Sequence, residues 1–274
     1  MNGGALSIQA DWTADDGIRI LSVRLERPPV AKLFVGMTGD ELLAAVPLLY
    51  SLCAQAQRAA AAAALAAARH EPPPAVDARA LWRENLHERL WRICLDWPAA
   101  SGRTSEAQQA ARAAFVAWRK RFDVSPEEAT AAMLEFLSGK GTVPQGLGEK
   151  ASNGEAAYLT CLQQAQDTGQ ALRENRPCPM SAQGNNGGGE ARIQTARGKL
   201  THRLTLDAAG RIASYQVCAP TDRHFADAAA LMARLTSVRP ANFAAARQVL
   251  ECAVLALDPC VPYQITWLKP EQEH

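Results

Sequence analysis

Seven cysteines, Cys53, Cys94, Cys161, Cys178, Cys218, Cys252 and Cys260, are the side chains in this sequence best suited to soft-metal or redox chemistry. The chain has 274 residues, enough to bury a core without cross-links, and the odd count favours thiols, thiolate ligands or redox work over a disulfide framework. No pair is spaced Cys-x-x-Cys, so zinc-ribbon and thioredoxin-like sites are not indicated. Two contexts stand out. Cys53 lies in Leu52-Cys53-Ala54-Gln55-Ala56 at the head of an alanine-rich run. Cys260 follows Asp258-Pro259, with Tyr263 three residues on, where a metal site often places its second thiol. By residue type alone each is more often a small buried hydrophobe than a ligand.

Other chemistries find little support. Lysine plus arginine number 29 against 28 acidic residues, which argues against a nucleic-acid track or a strongly anionic membrane surface. Glu84, Glu88 and Arg92, four apart on one helix, read as surface ion pairs rather than an acid and a base. There is no Gly-x-x-x-x-Gly-Lys loop, and Asn-Asn-Gly-Gly-Gly-Glu at 185–190 has the wrong layout for cradling phosphate. Trp82, Trp91, Trp97 and Trp118 recur on expected helices, as core or interface anchors would. The amino terminus lacks a basic segment followed by an apolar one, and the alanine run at 59–68 is too poor in large aliphatics to suit a bilayer, so a cytoplasmic protein is expected.

The elements that must position these cysteines are mostly helical. Residues 5–9 and 17–26 alternate as a hairpin would, and 40–69 read as one long helix containing Cys53. Helices follow at about 79–97, 104–122, 125–137 and 155–174, with a loop expected at 138–154. The glycine-rich segment at about 177–190 reads as a flexible link within a single domain spanning 1–274. Beyond it come two strands around Gly210, helices at about 225–236 and 241–256, and a short polar tail. The fold class is α+β, mainly helical, with a small antiparallel β element.

Four pieces of the chain resemble the nickel-iron hydrogenase large subunit. Gln194-Thr195-Ala196-Arg197-Gly198-Lys199-Leu200-Thr201-His202 is similar to that family's Glu-Ala-Pro-Arg-Gly-x-Leu-x-His. Tyr215-Gln216-Val217-Cys218-Ala219-Pro220-Thr221 follows it, and Asp258-Pro259-Cys260 looks like the family's terminal Asp-Pro-Cys-x-x-Cys. Cys53 lies where the family carries Cys-Gly-x-Cys. The departures are systematic: Ala56 and Tyr263 stand at the bridging cysteines, and Ala60 and Thr266 where a histidine follows each pair. Losing both bridging sulfurs removes the means of holding two metals side by side.

The pattern therefore resembles the hydrogenase expression and formation proteins of the HupK or HoxV type, and the resemblance implies a truncated large-subunit-like helical bundle. It implies a non-catalytic scaffold that transiently carries an Fe(CN)2(CO) unit, without nickel, between Cys53 and Cys260. Arg197, Pro220 and Thr221 would contact the cyanides, with Asp258, Pro259 and His202 supporting the ligands from behind. The implied partners are the accessory proteins that assemble the iron-cyanide-carbonyl unit and the apo large subunit. A large-subunit mimic that recruits or protects those partners without iron is the alternative.

Overall fold

The computed structural model describes residues 4–138, 153–185, 187–236 and 238–268. Its elements begin with strands β1 (Ala5–Thr13) and β2 (Gly17–Glu26), followed by helices α1 (Gly39–Leu49), α2 (Ala54–Ala68) and α3 (Ala78–Trp91). A π turn over Arg92–Asp96 leads into α4 (Trp97–Ala100), α5 (Ser105–Phe122), α6 (Pro126–Ser138) and α7 (Asn153–Arg173). Strands β3 (Met180–Asn185), β4 (Gly188–Thr195), β5 (Gly198–Leu206) and β6 (Ile212–Cys218) come next. The chain continues with α8 (Pro220–His224), α9 (Ala229–Leu235), α10 (Phe243–Ala256) and β7 (Tyr263–Trp267). The expected mainly helical α+β class holds. Most of the loop expected at 138–154 and the polar tail beyond 268 lie outside the described residues. Among the described residues no helix is long and apolar enough to cross a membrane.

Chain contacts divide the protein into two compact units, each built from separated segments. The first comprises the described residues of Met1–Ala5, Leu25–Asn85 and Asn175–Arg223. Its sheet runs β3-β4-β5-β6, antiparallel throughout, and α2 lies on it with α1 alongside. A capping box starts α1: Glu41 N donates to Thr38 Oγ1 at 3.3 Å and Thr38 N to the Glu41 carboxylate at 2.7 Å. The expected single helix over 40–69 is broken. Pro47 brings no backbone donor to the last turn of α1, Tyr50 leaves the helical region at φ −118°, ψ 61°, and a 3-10 turn spans Ser51–Cys53. Cys53 thus precedes the first residue of α2 instead of lying inside a helix.

Helix and sheet meet through small residues on both sides. Ala61, Ala64 and Ala68 of α2 pack with Ala191, Leu204 and Ile212 of the sheet, all nearly or fully buried. The glycine-rich stretch expected to be a flexible link at about 177–190 is instead the β3–β4 hairpin, apart from its loop. Its glycines serve close approach: a Cβ at Gly184 would stand 1.9 Å from Ala67 O, and one at Gly189 1.9 Å from Ala64 O. Glycine here lets a strand touch helix backbone, a role that composition alone does not distinguish from mobility.

The second unit comprises the described residues of Leu6–Arg24, Leu86–Glu174 and His224–His274. Here α5, α6 and α7 pack in sequence and α10 lies on α7. Phe115 and Trp118 stack at 6.1 Å between centroids and are buried, the core role expected for that tryptophan. The small sheet has the order β2-β1-β7, with β7 parallel to β1 in a register running from Leu6↔Tyr263 to Ala10↔Trp267. Five residues next to the chain's end gave no sign of this parallel strand, because its pairing partner is the other terminus.

Candidate functional site

In the first unit the segments that carry the resemblance are gathered around the start of α2. Glu84 of α3 places its carboxylate over that helix start, accepting from Gln55 N at 2.7 Å and Ala56 N at 3.0 Å. An anion there satisfies amides that have no intrahelical partner and meets the positive end of the helix dipole. Glu84 is therefore a helix cap supplied from another element, a part that the surface ion-pair reading did not give it. Cys53 Sγ accepts from Gln57 Nε2 at 3.4 Å, one turn along α2. Ala56 and Ala60 are fully buried, in an apolar cluster with Leu81, Ile193, Leu200 and Ala219 against which Cys53 and Cys178 pack.

Arg197 is half-buried in the tight turn joining β4 to β5. Thr195 fixes that turn, its Oγ1 donating to Gly198 O at 2.7 Å and accepting from Arg197 N at 3.3 Å. Gly198, at φ +121°, sits against Pro220, whose Cγ would lie 3.7 Å from a Cβ there. Pro220 opens α8, the position its fixed φ suits, and both it and Thr221 are buried. Asp222 accepts from Ala219 N at 3.0 Å and pairs with Arg27 at 2.7 Å, while Arg223 reaches Lys199 O and Cys218 Sγ. These bonds lock α8 to the β5 edge, so Arg197, Pro220 and Thr221 share one corner of the unit.

His202 of β5 is fully buried, with Nδ1 at 2.6 Å from Tyr215 Oη and Nε2 at 2.7 Å from Gln57 Oε1. Burial drives its pKa down to about 3, so the ring is neutral. Among the remaining thiols, burial pushes Cys94 and Cys161 up to about 12, and Cys178 and Cys252 up to about 11. Protonated, half-buried Cys178 is a poor nucleophile. None of the seven cysteines is in a disulfide.

Asp258, Pro259 and Cys260 belong to the second unit, where α10 ends and Asp258 adopts the left-handed region at φ +49°. Arg92, in the π turn, organises this bend: its Nε donates to Asp258 Oδ1 at 2.6 Å and its Nη atoms reach Pro259 O and Asp96. A π turn displaces a side chain from ordinary helical register and is frequent at functional sites. His224 Nδ1 donates to Leu257 O at 2.9 Å. Tyr263, at the place of a second thiol, gives its hydroxyl to Glu251 Oε2 at 2.8 Å and so ties β7 to α10. Thr266 is exposed on β7. Replacing Arg92 by methionine should cost about 2 kcal/mol, a buried-pair value reduced because Asp258 is a quarter exposed. Chemical denaturation measures it, and an unchanged midpoint would show that the bend holds itself.

Among the described residues no group of three or more His, Cys, Asp or Glu side chains forms a metal-binding cluster. No protein-family profile matches the chain. Curated proteins do. Hydrogenase expression/formation protein HupV of Azotobacter chroococcum mcd 1 is 28% identical across 94% of this chain and 97% of its own length. HupK of Azotobacter vinelandii is 28% identical across 92% and 95%, and HupK of Rhizobium leguminosarum bv. viciae is 38% identical over 28% of this chain and 21% of its own. Over nearly its whole length the chain is thus similar to the hydrogenase expression/formation proteins. A chain from the crystal structure of an NAD+-reducing [NiFe]-hydrogenase in the H2-reduced state shares its fold, with a TM-score of 0.51 at 12% identity over 88% of this chain and 92% of that one.

Three residues have parts here that the sequence reading did not give them: Gln57 at Cys53, Glu84 at the start of α2 and Arg92 at the Asp258 bend. Gln57 carried a signal, a polar residue four positions after Cys53 in a run of alanines, hence on the same helical face. Glu84 and Arg92 carried none, because their partners lie 28–29 and 166–167 residues away.

Proposed function

We propose that this chain is a non-catalytic scaffold in [NiFe]-hydrogenase assembly that accepts an Fe(CN)2(CO) unit, holds it through the thiolates of Cys53 and Cys260, and passes it to the apo large subunit. The observation that carries the reading is the cluster at the start of α2. Cys53 keeps a hydrogen-bonded sulfur there, while Ala56 and Ala60, where the large subunit has a cysteine and a histidine, are sealed in apolar packing. Such a site offers one soft ligand and no bridging sulfur, which suits one low-spin iron and not an iron-nickel pair. Whole-length similarity to expression/formation proteins supports the same reading.

The donor set fits the cargo. Iron-bound cyanide keeps an anionic nitrogen that accepts hydrogen bonds, and Arg197 beside the Pro220–Thr221 corner supplies a guanidinium and a hydroxyl. The apolar cluster around Leu200 and Ala219 gives carbon monoxide a wall without competing donors. Asp258 and Pro259, anchored by Arg92, would hold Cys260 in a fixed bend. The partners would be the accessory proteins that build the iron unit and the apo large subunit, met in the cytoplasm.

Infrared spectra of anaerobically purified protein test this directly, since metal-bound cyanide and carbonyl absorb where polypeptide does not. The expected result is one carbonyl and two cyanide bands in the natural chain. Either Cys53→Ala or Cys260→Ala should lower iron retention by more than about 100-fold, exceeding the loss typical of outer-shell changes. Full iron retention and hydrogenase maturation in both variants would remove the ligand assignment. Maturation that needs the chain while no bands ever appear would favour the iron-free mimic.

A further inference from the structure

The sulfur of Cys53 is the end of a hydrogen-bonded chain that begins in the core. Tyr215 Oη lies 2.6 Å from His202 Nδ1, His202 Nε2 lies 2.7 Å from Gln57 Oε1, and Gln57 Nε2 lies 3.4 Å from Cys53 Sγ. The links come from β6, β5 and α2, so the chain spans the helix-sheet interface. His202 is 0% exposed and Gln57 2%, and at that depth water does not compete for their polar atoms.

With the Gln57 amide oxygen on His202, the donors run in one direction. An amide oxygen only accepts, so His202 Nε2 carries the proton and donates to Gln57 Oε1. The neutral ring then offers Nδ1 as an acceptor to the Tyr215 hydroxyl, and the amide NH2 is left facing sulfur. The reverse direction would put the amide oxygen on sulfur, which a protonated thiol tolerates and a thiolate opposes. A thiolate at Cys53 therefore selects a single orientation for the whole chain.

We infer that Gln57 is a positioning residue that holds an N–H donor on Cys53 Sγ, with His202 and Tyr215 fixing the orientation of its amide, so that the sulfur is presented in one anchored, hydrogen-bonded position. The part concerning iron rests on the scaffold reading above. The part concerning sulfur stands on this geometry alone.

The test uses the full chain and Gln57→Met, which keeps length and loses the donor. Iodoacetamide alkylation at pH 7, mapped to each cysteine by mass spectrometry, should be about tenfold slower at Cys53 and unchanged at the other six, with the far-ultraviolet circular dichroism unaltered. His202→Phe should slow Cys53 in the same way, because the amide is then free to turn, whereas His202→Gln, still able to donate to Gln57 Oε1, should keep most of the rate. In iron-loaded protein, Gln57→Met should move the carbonyl band to lower frequency, since a sulfur without its donor gives more charge to the metal. An unchanged Cys53 rate in folded Gln57→Met overturns the inference, as does equal acceleration of all the cysteines, which would report general loosening. A selective loss at Cys53 in a protein that never shows cyanide or carbonyl bands upholds the positioning role and removes the iron reading instead.

Discussion

Replacing Gly189 by alanine will destabilise the first unit by about 3 kcal/mol or more, although glycine-to-alanine changes at positions that alanine can occupy usually stabilise by about 0.4–1 kcal/mol. The added Cβ would stand 1.9 Å from Ala64 O and 2.7 Å from Ala68 N, both backbone atoms of α2. Neither can swing aside as a side chain would, so the helix must retreat from the sheet by about 1 Å, and dispersion contacts along their shared face weaken together. Gly184→Ala meets Ala67 O at 1.9 Å and should cost a similar amount. The two changes push the same helix, so their effects will not add. Gly36→Ala is the control: φ is +86° and nothing lies within 4 Å of the new atom, leaving only a backbone cost of about 1 kcal/mol. Guanidinium midpoints rank the three. A Gly189→Ala midpoint at or above that of the natural chain would show that helix and sheet are not in backbone contact. Three kcal/mol is a large share of the roughly 5–15 kcal/mol that holds a typical domain.

The same interface shows where sequence reasoning reaches and where it stops. Helices α5, α6, α7 and α10 were legible within a few residues because capping residues and apolar spacing are local signals. Hairpin β5–β6 was legible from alternation around Gly210. The glycines at 184 and 189 were not, since composition reports that a residue lacks a side chain and not whether a helix is pressed against it. The break at Tyr50 was missed because 40–69 is strong helix-forming sequence whose interruption comes from Pro47 and from a 3-10 turn with no distinctive composition. Arg197, Pro220, Thr221 and His202 could be named only through a resemblance, and Thr195, Gly198 and Asp222 are the residues that bring the first three to one corner. Glu84 and Arg92 share an i, i+4 pattern with Glu88, which suggests surface pairing, yet each spends its charge on a distant element. A charge pattern on one helix cannot show what docks against it.

The stability of the protein will fall between pH 6.5 and 4.5 by about 2–3 kcal/mol through His202 alone. In the folded chain the ring is fully buried, carries no charge and has a pKa of about 3, whereas in the unfolded chain it titrates near 6.5. Between those values the unfolded chain holds one more proton than the folded one, so stability rises with pH across the window. It is complete above the unfolded value and is lost as acid approaches the folded one. Carboxylates and the other histidines add their own slopes, so the measurement is a difference between the natural chain and His202→Gln. Glutamine can retain a donor toward Gln57 but has no proton to gain in this range. The natural chain should lose about 1.4 kcal/mol more per pH unit than the variant between pH 6 and 4.5, and the two should run parallel above pH 7. Equal slopes across the acid range would mean that the imidazole takes up its proton while folded. That would need the Tyr215 hydroxyl to turn and accept from Nδ1, while Gln57 Oε1 goes on accepting from Nε2 and the N–H on Cys53 stays in place.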